Sequence, residues 1–150
     1  MNLPTNILVP VDFSDYSEYA LDYALGLAAK LGAKVNLVNV IGVPAMGVPE
    51  LGVAISASLI DDLVKSNQAA LDKLVEPRRK QANIDQVLLR TGDARDVILQ
   101  ACEELGIDLV IMGTHGRRGF SRALLGSVAE MVVRTAPCPV LTIRPPKSRK

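Results

Sequence analysis

Two short stretches hold the residues whose types and spacing could do chemistry. The first is Pro10-Val11-Asp12-Phe13-Ser14, where a carboxylate follows an apolar run. The second is Gly113-Thr114-His115-Gly116-Arg117-Arg118-Gly119-Phe120-Ser121-Arg122, with three glycines spaced by three, running on to Gly126-Ser127. Glycines let a backbone take positive φ and approach a ligand closely. N–H groups in such a loop and at a helix N-terminus favour anions, phosphate above all. A carboxylate such as Asp12 can accept from a ribose hydroxyl or a base amine, and the same residue type also suits a turn or a helix start. Gly113-x-x-Gly116 alone fits a tight turn as well as a phosphate cradle.

Two standard phosphate motifs are excluded. There is no Gly-Lys-Ser/Thr, so this is not a Walker A loop, and the turn after the first apolar run has no glycine for a GxGxxG fingerprint. His115 is the one histidine, so a Ser-His triad would have to use it. No Ser or Cys nucleophile motif accompanies it, which favours a loop residue packed near a ligand over a general base. Arg117, Arg118 and Arg122 read either as a solvated face or as bidentate donors to phosphate. Ser121 is expected to cap the helix that follows. Cys102 lies on an apolar helix stripe and reads as core, while Cys138 stands between Pro137 and Pro139. The pairs Asp61-Asp62 and Glu103-Glu104 fall outside the apolar periodicity and read as solvated faces. His-rich metal sites are excluded by composition.

The elements that must position these stretches alternate along the chain. Ile7-Leu8-Val9 is a short apolar run with a β-branched bias, closed by Pro10. Ala20, Leu21, Ala24, Leu25, Ala28 and Leu31 recur at helical spacing, with Ser14 as N-cap and Gly32 as the stop. Val35 to Val40 is a second strand, and Ile60, Leu63, Val64, Leu71, Leu74 and Val75 mark a second helix. Val87-Leu88-Leu89 is a third strand ended by Thr91-Gly92-Asp93. Val97, Ile98, Ala101, Cys102 and Leu105 mark a third helix ended by Gly106, and Leu109 to Met112 a fourth strand. Leu124, Leu125, Val128, Val132 and Ala136 mark a last helix, and Val140 to Ile143 a last strand. Strict β-α alternation with near-continuous apolar strands predicts a parallel sheet covered on both faces. Right-handed crossovers make it an open, doubly wound, Rossmann-like α/β sheet. In such a sheet ligands bind beyond the carboxyl ends of the strands, where the strand order reverses. The two stretches become informative together when the first and fourth strands are neighbours.

The length of 150 residues sets one domain, 1–150, with a basic tail at 144–150 expected to fray. Seventeen basic residues against sixteen acidic ones argue against bulk nucleic-acid binding. Aromatics at 3%, with no Trp, argue against base-stacking platforms. The charge is unevenly spread. Residues 113–122 hold three Arg and no acid, and 144–150 hold four basic residues and no acid, which leaves ten basic against sixteen acidic elsewhere. Two cysteines without a CxxC, and no evident signal peptide, point to a cytoplasmic chain. Ile41 to Ile60 carries Glu50 as its sole charge, but Pro44, Pro49, Gly42, Gly47 and Gly52 rule against a membrane span. It reads as an apolar loop leading into a helix.

Gly113, Gly116, Gly126 and Ser127 stand at the spacing Gly, two residues, Gly, nine residues, Gly-Ser. With the opening Ile7-Leu8-Val9-Pro10-Val11-Asp12-Phe13-Ser14 and the ending Cys138-Pro139-Val140-Leu141, the chain resembles the universal stress protein family over nearly its whole length. The resemblance implies a five-stranded parallel sheet of order 3-2-1-4-5 and a homodimer paired through the last strand. The glycine signature marks the family's ATP-binding subset. It places Asp12 and the backbone of Pro10 and Val11 on adenosine, and Val40 at the adenine edge. Gly113, His115 and Gly116 would line the ribose–phosphate path, with Met112 in the same set, and Gly126, Ser127 and Val128 would donate to phosphate. Ala129 departs from members with Thr or Ser there, so weaker phosphate binding is expected. Mg²⁺ or Mn²⁺ would be held by the phosphates and water. The implied function is a dimeric stress module that binds ATP and changes its surface for a protein partner. Two alternatives stand beside it: a slow ATPase or autophosphorylating protein, with the arginine loop stabilising phosphoryl charge, and a nucleotide-free interaction module using the apolar 41–60 stretch.

Overall fold

Ser14 and Gly32 bound the first helix as their residue types require. The Ser14 hydroxyl accepts from the Ser17 N–H, and Gly32 closes the helix at φ 69°, where a Cβ is penalised. Asp93 and Gly106 do the same for the third helix, Asp93 accepting from the N–H groups of Arg95 and Asp96. The computed structural model describes residues 2–42, 52–116 and 124–146. In chain order the elements are β1 (Asn6–Pro10), α1 (Asp15–Leu31), β2 (Lys34–Ile41), α2 (Gly52–Val75), a single 3₁₀ turn (Glu76–Arg78), β3 (Asn83–Thr91), α3 (Ala94–Leu105), β4 (Leu109–Gly113), α4 (Ser127–Thr135) and β5 (Val140–Ile143). The five strands form one all-parallel sheet of order β3-β2-β1-β4-β5, as expected for the doubly wound topology.

Alternation along the central strands splits the core into two layers. Ile7, Val9, Val35 and Leu37 face one side with Leu21 and Leu25 of α1 and Leu71 of α2. Leu8, Val38 and Val110 face the other with Ile98 of α3 and Val132 of α4. β1, β2 and β4 are buried on both faces, which is why they read as continuous apolar runs. β1 pairs with β4 at Ile7–Leu109 and Leu8–Val110, whereas its pairing with β2 runs on to Pro10–Val38. The two neighbours of β1 therefore separate at its carboxyl end, and a crevice opens at the switch point.

Three boundaries differ from the sequence expectation. α2 begins at Gly52, so the latter part of the 41–60 stretch is helical; the breakers Pro44, Gly47 and Pro49 precede it, and Gly52 is its first residue. Residues 43–51 lie outside the described part. β3 runs from Asn83 to Thr91, longer than its apolar centre, because it is an edge strand and Asp85 and Gln86 face water. α4 begins at Ser127, and Leu124 is 69% exposed ahead of it. Ser121 lies outside the described residues, and the N-cap of α4 is Gly126. No helix among the described residues is long and apolar enough to cross a membrane.

At the opposite end of the sheet, Asp108 ties the start of β1 to β4. Its Oδ2 accepts from the Thr5 N–H and hydroxyl, both at 2.9 Å, and its Oδ1 from the Asn6 N–H at 3.0 Å. Burial pushes the Asp108 carboxyl up, but these donors outweigh it and hold the group below its ordinary value. A carboxyl depressed by folding stabilises above its unfolded value, near pH 3.9, and that contribution is lost as pH falls through the folded value. Asp108→Asn should therefore lower the melting temperature most above about pH 5. Calorimetric scans from neutral to acid pH should show the gap to the parent narrowing below about pH 4.

Candidate functional site

The turn after β1 aims Asp12. Its Oδ1 accepts from the Ser14 N–H at 3.0 Å and from the Ser14 hydroxyl, and its own N–H donates to Ser17 Oγ at 3.2 Å. Phe13 completes the turn at φ 63°, left-handed backbone that a bulky side chain seldom adopts, with its ring packed on the α1 side of the core. The result sends Asp12 Oδ2 toward Gly116: a Cβ built at Gly116 would stand 2.7 Å from it. Asp12 thus serves the turn with one oxygen and faces the glycine loop with the other.

The loop after β4 is fixed by Thr114. The Thr114 N–H donates to Ile143 O at 3.1 Å, its carbonyl accepts from the Gly126 N–H at 2.7 Å, and its hydroxyl lies 3.0 Å from His115 Nδ1. His115 is buried, its ring 5.2 Å from that of Tyr16 and tilted by 52°. Gly113 packs directly on the first turn of α1, since a Cβ there would lie 2.9 Å from the Tyr16 carbonyl carbon.

Gly126 caps α4 with no side-chain acceptor, and the first intrahelical bond is Glu130 N–H to Gly126 O at 2.8 Å. The N–H groups of Ser127, Val128 and Ala129 precede that bond, at the positive end of the helix. The sequence reading set Gly126-Ser127 inside a helix, whereas they begin it. Ala129 is buried at the third helical position.

These pieces surround one cleft of about 320 Å³. Pro10, Val11, Asp12, Val40, Met112, Gly113, His115, Gly116, Gly126, Ser127 and Val128, the residues that the resemblance placed around a nucleotide, line it. Ser17, Val38, Ala94, Ile98, Thr114 and Ala129 line it too. Of these, Val38 is missed by the sequence reading, although its place two residues before Val40 on the same strand face is a signal that could have found it. Ala94 and Ile98 carry no such signal, because only the packing of α3 across the sheet brings them there. The cleft combines apolar walls (Val38, Val40, Ile98 and Met112), one carboxylate and a helix N-terminus. That arrangement can hold a flat apolar ring at one side and an anion at the other.

Arg117, Arg118 and Arg122 lie outside the described residues. Among the described residues, no three His, Cys, Asp or Glu side chains converge to hold a metal ion. Cys102 and Cys138 meet in the layer beneath α3. Burial first, and then the neighbouring Cys138 thiol, push the Cys102 thiol up to about 12; burial raises Cys138 as well. Neither is poised as a thiolate nucleophile.

Residues 4–144 match the model of the universal stress protein family. A universal stress protein of Methanocaldococcus jannaschii is 36% identical over 148 residues, covering 97% of this chain and 85% of that protein. The solved structure of a universal stress protein from Lactobacillus plantarum superposes with a TM-score of 0.83 at 28% identity, covering 93% of this chain and 97% of that one. A family member from Arabidopsis thaliana, solved with AMP bound, superposes with a TM-score of 0.63 at 21% identity, covering 97% and 95%; at that identity the likeness is one of fold.

Proposed function

The chain belongs to the universal stress protein family, and from that premise we propose that it binds an adenine nucleotide, ATP in the first instance, in the cleft between Asp12 and the start of α4. The observation that carries this reading is the uncapped N-terminus of α4 opening on the same cleft as the Val38–Val40 wall and the Asp12 carboxylate. The base would lie against the apolar wall, Asp12 would accept from the ribose, and the N–H groups of Ser127 to Ala129 would meet phosphate. The AMP-bound member of the same fold supports an adenine nucleotide as the ligand class.

The site reads as one that binds rather than turns over. Asp12 Oδ1 is held by Ser14, and His115 is packed against Tyr16 beside the Thr114 hydroxyl, so neither has the geometry of a base aimed at an attacking water. Ala129 supplies no hydroxyl, so phosphate would be held by the N–H groups at the start of α4 and the Ser127 hydroxyl. The working unit would be a homodimer paired along β5, a strand at the edge of the sheet, that presents a nucleotide-dependent surface to a protein partner.

Equilibrium dialysis with ATP, with and without Mg²⁺, should show saturable binding of about one nucleotide per chain at or below roughly millimolar concentration. Mass spectrometry of natively purified protein should find the same class of ligand. Absence of binding at millimolar ATP in both conditions would sink the reading. Steady phosphate release that disappears on replacing Gly126 and Ser127 would favour the ATPase alternative.

A further inference from the structure

We infer that Asn39 and Asn67 are positioning residues for the adenosine end of the cleft, acting through the peptide between Val11 and Asp12; this rests on the nucleotide reading above. Asn39 is 2% exposed and sits on β2 between Val38 and Val40, whose side chains line the cleft. Its own side chain lies on the opposite face of the strand, the face of Val35 and Leu37, under α1 and α2. An amide at such a position is costly unless both its ends are bonded.

Both ends are bonded. Asn39 Nδ2 donates to Val11 O at 2.8 Å, and Asn39 Oδ1 accepts from Asn67 Nδ2 of α2 at 2.9 Å. β1 has ended at Pro10, and the Val11 N–H still donates to Val38 O at 2.9 Å. The Val11 carbonyl therefore takes its donor from the Asn39 side chain. That carbonyl and the Asp12 N–H belong to one planar peptide unit. The N–H end is held by Ser17 Oγ at 3.2 Å. The plane is thus clamped from α1 at one end and from β2 and α2 at the other. Its orientation fixes where the next residue projects, and the next residue is Asp12, whose Oδ2 faces Gly116. The clamp also holds the chain as it enters the left-handed Phe13, a conformation that persists only when its surroundings over-determine it.

The consequence is selective. Asn39 touches the adenosine end through Val11 and Asp12, while the phosphate end is built by Thr114 and the start of α4. Titration calorimetry at pH 8 with adenosine, ATP and sodium tripolyphosphate separates the two ends. Asn39→Leu should weaken adenosine and ATP by the same factor, about tenfold, the scale of one lost hydrogen bond. Tripolyphosphate should change by less than about twofold. Asn39→His, whose Nδ1–H can stand in for the amide donor, should restore both nucleoside affinities. Asn67→Ala, which removes the outer link alone, should cost about threefold.

Hydrogen exchange on the ligand-free proteins gives a readout that needs no ligand. The Ser14 amide, bonded to Asp12 Oδ1, should lose protection in Asn39→Leu while the amides of α3 and α4 keep theirs. Equal losses for all three probes, no loss for adenosine, or unchanged Ser14 protection would each overturn the inference. If the parent binds none of the probes, the nucleotide reading fails, and the exchange result decides the clamp by itself. If Asn39→Leu does not fold, Asn39→Ser and Asn67→Ala carry the same comparison.

Discussion

Gly116→Val is expected to lower ATP affinity by more than about 100-fold, or about 2.7 kcal/mol, and to leave the melting temperature within about 3 °C of the parent. The separation of the two effects follows from what a side chain at 116 would meet. A Cβ there would stand 2.7 Å from Asp12 Oδ2, closer than any carbon and oxygen settle. The obstacle is the end of a side chain, so the fold can respond by turning Asp12 aside. Among the described residues the positive-φ glycines are Gly32, Gly92 and Gly106, so valine at 116 meets no left-handed backbone strain. Turning Asp12 breaks its bonds to Ser14 and takes the carboxylate away from the cleft. The two valine methyls then occupy a lining position between Asp12 and the start of α4. The sequence motivates this substitution by blockage of a phosphate path; the geometry adds the displaced carboxylate. Dialysis with ATP and a thermal melt on one preparation check both halves. An affinity within about threefold of the parent would mean that the cleft is not the nucleotide site.

What could be read in the sequence follows from which residues act locally. Ser14, Gly32 and Gly106 cap or stop helices through their own backbone and side-chain chemistry, so their roles are visible in a linear string, whereas Asp93, read as the end of a strand, caps α3. Ile7 to Val9 and Leu109 to Met112 are buried on both faces and announce themselves as apolar runs. The start of α4 was misread because Leu124 and Leu125 continue its apolar period backwards, past a cap that has no side chain to mark it. The start of α2 was misread because helix breakers crowd the residues just before it. The glycines of the site were legible for a related reason: a glycine marks where backbone must approach something, although not what. Gly116 approaches Asp12, more than a hundred residues away, and Gly113 approaches Tyr16. Ala94, Ile98 and Asn39 were not legible, because an alanine, an isoleucine and a strand asparagine acquire roles only when the sheet and α3 are assembled around them.

Gly113 should show the reverse of the Gly116 behaviour, with stability taking the larger loss. Glycine in a strand is ordinarily a weakness, and alanine would be expected to gain roughly 0.5–1 kcal/mol. Here the ideal Cβ would lie 2.9 Å from the Tyr16 carbonyl carbon and Cβ, and 3.0 Å from the Tyr16 oxygen. Those are backbone and near-backbone atoms of the first turn of α1, and they cannot swing away as a carboxylate can. Either β4 or α1 must move. α1 is held by the Ser14 cap and by the burial of Leu21 and Leu25, and β4 by its pairing with β1 and β5. The overpacking penalty, about 1–3 kcal/mol, therefore exceeds the propensity gain, and the net sign is destabilising. Gly113→Val, with two further methyls at a fully buried position, should sit at or above the upper end of that range. For a domain of this size that is a fall of roughly 6–12 °C in melting temperature. Calorimetry of Gly113→Ala, Gly113→Val and Gly116→Ala side by side tests the reasoning. An unchanged or raised melting temperature in Gly113→Ala would show that α1 yields without cost, and would overturn the sign argued from the close packing of Tyr16 on β4.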